Sequence, residues 1–424
     1  MEDDDEVIVV GGGLAGLVAA RHLADAGASV RLFERADSVG GRVRSTHEEG
    51  FIYDRGFQVM FTAYPAARRE LDYDALDLRA FTAGACICRP GHRSILSDPF
   101  RDPGSLTESI FNRDVTVTDK VNTLRLKREL TNRPTEALFQ GPDMSIREYL
   151  QSRGFSRKYL DNFAAPFYGG ITLDRSLSTS KRVFEYTFKM LSAGKTAVPA
   201  SGMGEITAQL AEHATAAGAT VQTGQQVETV QHDGEGATVD LGGETVSADA
   251  VVVATDPAEA RSLTGVEAIP TDAHSCVTQW YAIEDTGDLD AGKRLMLNAE
   301  PEGPNQLVDH TIVAPEYAPD GTRLLSGTFL GEREESDEEL ARIAHETLAS
   351  WYPERQFGGF ELRHTDRIPF AQFQQPPGFS ETLPDVRDPA GPVYLAGDYT
   401  RWSSIQGAME SGTDAADAVR ADLG

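Results

Sequence analysis

Short apolar runs and helical periodicities alternate along this chain, with glycine clusters at their junctions. Val7 to Val10 is wholly apolar and rich in β-branched residues, the pattern of a strand buried on both faces of a parallel sheet. After a glycine cluster, Leu14, Leu17, Val18, Ala19, Ala20 and Leu23 recur at helical spacing. Gly27 ends that helix, and Ala28 to Glu34 forms a second apolar strand. Residues 7–35 therefore predict one β-α-β unit.

The same pattern returns further on. Gly202 and Gly204 allow a turn within Val198 to Leu210, an amphipathic helix leads to a strand at Thr220 to Thr223, and Val227 to Val230 pairs as a hairpin with Ala237 to Leu241 across HDGEG. Val246 to Ala254 is a buried strand that stops at Thr255, Asp256 and Pro257. Near the end, Val393 to Ala396 reads as a strand, Gly397 and Asp398 as a turn, and Ile405 to Arg420 as a helix. The intervening regions differ. A mixed stretch from about 76 to 118 precedes helical patterns at Lys120 to Leu130 and Ser145 to Ser152. The aromatic and glycine segment Phe163 to Leu173 follows, with Phe163, Phe167 and Tyr168 reading as ordinary core. Alternation at Cys276 to Ile283 and Arg323 to Phe329 predicts strands, and Glu338 to Trp351 predicts an amphipathic helix.

The chain has 424 residues, enough for two or three domains, and no repeat of fixed period is apparent. Its 66 acidic and 39 basic residues give a formal net charge of −27, dispersed along the whole length. Such a surface repels nucleic acid and anionic headgroups, and it matches a protein of a salt-accumulating halophile, where molar salt cuts the Debye length to about 3 Å. The three cysteines, with no export signal, fit a reducing cytoplasm, which is the expected location. Cys86 and Cys88 read as small buried hydrophobes, and no metal site is expected. MEDDDE has the wrong charge for a leader, and no run reaches the roughly 18 apolar residues of a membrane span. None of the nine histidines falls in HxH or HExxH, and His22 reads as a packing or surface residue. With no nucleophile, metal or paired-carboxylate spacing, no catalytic residue is identified.

The chemistry lies in the glycine clusters. Gly11, Gly13 and Gly16 are spaced as GxGxxG between strand and helix: a tight turn, a close approach to pyrophosphate, and close packing of helix on sheet. The helix N-terminus offers N–H groups to phosphate, and Glu34 ends the second strand where an acid accepts from ribose hydroxyls. This predicts a dinucleotide site, with NAD and FAD both open. Gly40, Gly41 and Arg42 then add a second glycine turn bearing a cation, and Asp54, Gly56 and Gln58 form a third polar segment. Asp54 reads equally as a turn cap or as part of the site.

In this order, and with Gly397–Asp398 before a C-terminal helix, the chain resembles the superfamily of FAD-dependent amine oxidases, protoporphyrinogen oxidases and phytoene desaturases. The resemblance implies an α/β fold: a Rossmann-like FAD-binding domain from residues 1–75, 195–260 and 390–424, and a discontinuous α+β substrate domain from 76–194 and 261–389. It implies FAD contacts at Gly11, Gly13, Leu14, Ala15, Gly16, Glu34, Arg35, Gly41 and Arg42. Further contacts are implied at Gly56, Phe57, Gln58, Val227, Thr255, Gly397, Asp398, Ser404, Ile405 and Ala408. Amine oxidases of the superfamily carry a lysine on a strand of the second half. Here that half holds only Lys293, in a loop-like context, which points to a desaturase or oxidase of a largely apolar, isoprenoid or carotenoid-like substrate. Amine oxidation is the alternative, with Tyr399 and Trp402 or Phe167 and Tyr168 as an aromatic cage. A third reading is a non-catalytic flavin protein that binds pigment or lipid. The expected partners are a small apolar substrate and, transiently, a membrane surface, with no nucleic acid.

Overall fold

A computed structural model of the chain describes residues 5–97, 114–284, 287 and 289–424. Parts of the MEDDDE terminus and of the mixed stretch at 76–118 lie outside the described residues. The predicted β-α-β unit is present: strand Glu6–Val10, helix Leu14–Asp25 and strand Ser29–Glu34. It forms the centre of a five-stranded parallel sheet in the order Thr220–Thr223, Ser29–Glu34, Glu6–Val10, Ala250–Val253, Val393–Leu395. Val9 pairs with Leu32 on one side and Val252 on the other, and all three are sealed from solvent. Covered on both faces, these strands need unbroken apolar runs, which is what the sequence carries.

The first helix packs against helix Ile405–Leu423, and a Cβ on Gly412 would come within 2.3 Å of the Ala15 carbonyl oxygen. That glycine lets the two backbones approach. The hairpin forms as Thr229–His232 with Ala237–Asp240, and Thr245–Ala248 adds a third strand.

A second sheet has seven strands, ordered Glu361–Phe373, Ala273–Glu284, Thr322–Leu330, Gln306–Asp309, Leu295–Asn298, Ala85–Arg89, His92–Leu96. Only Leu295–Asn298 and Ala85–Arg89 run parallel. The expected strand at Cys276 to Ile283 is there, but all eight of its positions are buried. Helix Asp337–Trp351 covers the outer face with Leu340, Ala344, Leu348 and Trp351, and the inner face closes a cavity, so neither meets water.

Helices Val117–Asn132, Ile146–Ser152 and Lys181–Ala193 fill the region beside this sheet. The first two begin with full capping boxes, Thr116 with Asp119 and Ser145 with Glu148. The segment from Phe163 is helical: a π-turn at Leu160–Ala164 runs into helix Ala165–Thr172, which ends at Leu173 with φ 55°. Phe163 and Phe167, one helical turn apart, stack with centroids 5.1 Å apart.

Candidate active site

The carboxyl ends of the parallel strands open into a cavity of about 1220 Å³ that extends to the inner face of the seven-stranded sheet. This is the place where open α/β sheets bind ligands. Each glycine of the first cluster has a distinct job. Gly11 has φ +109°, and a Cβ there would lie 2.7 Å from the Ala254 oxygen. A Cβ on Gly16 would fall 2.0 Å from the Gly11 oxygen, so Gly16 packs helix on strand and does not line the cavity. A Cβ on Gly13 would meet no protein atom within 4 Å. Gly13 faces the cavity and is the N-cap of the first helix without any side-chain cap, so the first-turn N–H groups point at the open space.

The second glycine turn is bonded to the first. Gly40 N–H donates to the Gly12 oxygen at 2.8 Å, and a Cβ on Gly41 would sit 3.4 Å from the Gly13 Cα. Glu34 is held by two backbone donors, Gly12 N–H at 2.7 Å and Ala36 N–H at 2.9 Å. Its carboxylate is fixed before any ligand arrives. Arg42 donates to Asp398 Oδ1 at 2.6 Å and to the Ala371 oxygen at 3.3 Å, while Gln58 donates to the Arg42 oxygen at 2.7 Å. Burial alone would pull the Arg42 guanidinium down, and the Asp398 contact outweighs it and holds the group above its ordinary value. Asp398 takes a further bond from Ser403 Oγ at 2.8 Å. Ser404 caps the C-terminal helix by accepting from Gly407 N–H at 2.8 Å, and Ser404, Ile405 and Ala408 face the cavity.

Every other residue that the resemblance marked lines the cavity, from Leu14 and Ala15 through Gly56, Phe57, Val227 and Thr255 to Gly397. Arg35 sits on the rim, exposed and paired with Asp256 at 3.2 Å and Glu259 at 3.6 Å. Asp54 lies elsewhere: it accepts from Ser45 Oγ at 2.6 Å, Met203 N–H at 2.8 Å and Tyr317 OH at 2.8 Å. Burial raises its pKa against these three donors, and its role is to tie three segments together. Tyr399 and Trp402 are also outside the cavity. The Tyr399 hydroxyl bonds the Val253 and Ala396 oxygens, each at 3.2 Å, and Trp402 packs on Phe139 and Tyr186. That pair cannot form a cage around a ligand. His22 contacts Glu70 at 3.1 Å in a cluster with Arg21 and Arg69, as a packing residue would. Cys86 and Cys88 are buried with sulfurs 3.6 Å apart, and the described residues hold no group of three metal ligands.

Beyond the strand ends the lining is largely apolar. Phe163, Phe167 and Tyr168 face the cavity, so they are more than ordinary core; Phe81, Leu96, Leu295 and Leu297 join them. The sheet adds Cys276, Gln306, Thr328 and Gln372. These residues carry no motif, because they come from separate strands whose order only the folded sheet defines. The carboxylates among the described lining residues, Glu34, Asp256, Glu259 and Asp398, all belong to the parallel-sheet end, and the lysines, Lys120 and Lys127, to one helix. Lys293 is exposed and lies outside the cavity.

Comparison with known proteins agrees with this geometry. Similar sequences include a 4,4'-diapolycopene oxygenase of Methylomonas sp, 41% identical over 80 residues, 17% of this chain and 16% of that protein. A carotenoid 3,4-desaturase of Haloarcula japonica is 50% identical over 52 residues, 12% of this chain and 10% of that protein. The chain thus matches well under two thirds of the length of these relatives. The fold is similar to that of putrescine oxidase bound to putrescine, with TM-score 0.72, 20% identity and 99% of both chains covered. The sequence model for "flavin containing amine oxidoreductase" matches residues 14–420, and the chain belongs to that family.

Proposed function

We propose that this protein is an FAD-dependent oxidoreductase that removes hydride from a largely apolar substrate of the isoprenoid or carotenoid-like class. The family's cofactor is a flavin, and the residues present fit it. The side of Gly13 is open where a pyrophosphate would lie, two glycine turns are bonded to each other, and two helix N-termini face the cavity. Gly11, Gly13, Leu14, Ala15 and Gly41 would hold the pyrophosphate, with Arg42 as its cation; Gly16 acts by packing. Glu34 would take the ribose, Val227 and Thr255 would serve the adenine half, and Gly56, Phe57, Gln58, Asp398, Ser404, Ile405 and Ala408 would serve the ring half. When bound, the flavin supplies the hydride acceptor. The chain's own residues orient the substrate and exclude water.

Residues 1–75, 195–260 and 390–424 make up the FAD-binding domain, and 76–194 with 261–389 the substrate domain. All five strands of the parallel sheet fall in the first set and all seven of the large sheet in the second, which supports the division.

The observation that carries the substrate class is the charge of the cavity. Away from the parallel-sheet end, its described lining is largely aromatic and aliphatic, its lysines are Lys120 and Lys127, and it has no carboxylate to balance an ammonium group. The seven-stranded sheet places Cys276, Gln306 and Thr328 there, and no lysine. The test is anaerobic: the purified protein should be yellow, absorbing at about 450 nm, and should bleach with a polyene in molar salt. No bleaching with any isoprenoid overturns the reading. Amine oxidation is the second reading, favoured by Phe167 and Tyr168, which line the cavity edge to face at 5.1 Å. Bleaching by an amine would establish it.

A further inference from the structure

Among the described residues the large hydrophobic side chains left exposed are Val117 at 74%, Val121 at 41% and Leu124 at 45%, all on helix Val117–Asn132. Their spacing of i, i+4 and i+7 puts them in one stripe. Lys120, Thr123, Leu124 and Lys127, at i, i+3, i+4 and i+7, form a neighbouring stripe that lines the cavity. Leu124 belongs to both, so the apolar stripe borders the mouth of the cavity.

The charge of this helix runs against that of the chain. Its exposed face carries Arg125 and Arg128, in a protein whose net charge is −27. Its two acids are engaged by their neighbours: Asp119 is buried, bonded to Thr116 and Ser156, and Glu129 pairs with Arg153. Elsewhere the surface would be repelled by anionic headgroups, so a bilayer can approach most easily on this side.

We propose that the exposed face of helix Val117–Asn132 docks on a bilayer bearing anionic headgroups, with Val117, Val121 and Leu124 inserted in the interface. None of the described helices is long and apolar enough to cross a membrane, so the contact is peripheral. Docking stands on the helix alone. That it opens the cavity to a substrate dissolved in the bilayer rests on the apolar-substrate reading above.

The test uses the flavin-loaded protein and vesicles of phosphatidylglycerol or phosphatidylcholine, separated by flotation. In molar salt the apolar stripe carries the binding, and at lower salt the cations add a preference for phosphatidylglycerol. V117D/V121D should lower partition roughly tenfold or more at both salts. Its flavin absorbance, thermal midpoint and bleaching by a detergent-dispersed substrate should not change. R125E/R128E should remove only the headgroup preference. The proposal is overturned if the native protein floats with neither vesicle, or if V117D/V121D floats as the native protein does. It is also overturned if the native protein is a dimer that V117D/V121D converts to a monomer, since the stripe would then be the contact between two copies. A failure of bleaching with all isoprenoids leaves flotation unaffected, so the two readings fail separately.

Discussion

Arg42 and Asp398 lie 356 residues apart in the chain, and their side chains meet at 2.6 Å beside the cavity. The pair joins the second glycine turn to the turn that precedes the C-terminal helix. Asp398 is almost wholly buried, whereas about a third of the Arg42 side chain remains exposed. The contact therefore shapes the proposed cofactor site more than it stabilises the fold.

D398A is expected to leave Arg42 misplaced and to strip flavin from the purified protein. Breaking a fully buried pair costs several kcal/mol, and the exposure of Arg42 reduces that to about 1–2 kcal/mol. The ratio of flavin to protein absorbance should fall severalfold, with a small loss in thermal midpoint. Full flavin content in D398A would show that the pair is not part of the site.

The first glycine cluster allows a contrast between two alanines. G13A adds a methyl group that meets nothing in the protein, so the folded chain should keep its thermal midpoint and lose flavin. G16A drives a methyl group against the Gly11 oxygen and should destabilise the fold by about 1–3 kcal/mol or more. Calorimetry of the flavin-free proteins separates the effects. Equal destabilisation by both would contradict the assignment of Gly13 to the ligand.

His310 is sealed in the core, its Nε2 2.9 Å from Ser326 Oγ, between Trp280 and the Phe57 ring that faces the cavity. Burial lowers its pKa from 6.5 to about 3. Below pH 6.5 the unfolded chain takes up a proton that the folded chain refuses, so stability falls with pH down to about 3, by up to ~1.4 kcal/mol per unit. Above 6.5 both states are neutral there and the contribution is flat. H310F should remove this slope from urea midpoints measured between pH 4 and 7. An unchanged slope would mean that His310 is solvated.

Lys293 is exposed and its backbone oxygen accepts from Thr82 N–H at 2.8 Å. Because the side chain has no access to the cavity, K293M should change the rate of flavin reduction by less than about twofold, as surface substitutions do. A large loss in rapid-mixing measurements would return the lysine to the chemistry and favour amine oxidation.

The β-α-β unit was legible because both of its signals are local. A fully buried parallel strand needs an unbroken apolar run, and a turn with φ +109° at Gly11 needs glycine. Glu34 was legible for the same reason, since the end of a strand is visible in the sequence. Asp54 was not. Whether it met a ligand or Ser45, Met203 and Tyr317 depended on residues up to 263 positions away.

Tyr399 shows the same limit in the other direction. It stands next to Asp398 and looked equally available, yet its hydroxyl is spent on the ends of two strands. The apolar lobe of the cavity is assembled from a π-turn, two helices and several strands whose spatial order departs from their sequence order. Local pattern and backbone sterics settle where strands, helices and glycine turns form, because each depends on neighbours a few residues away. Which of those elements face one another, and so which side chains share the cavity, depends on contacts across hundreds of residues that only the folded chain brings together.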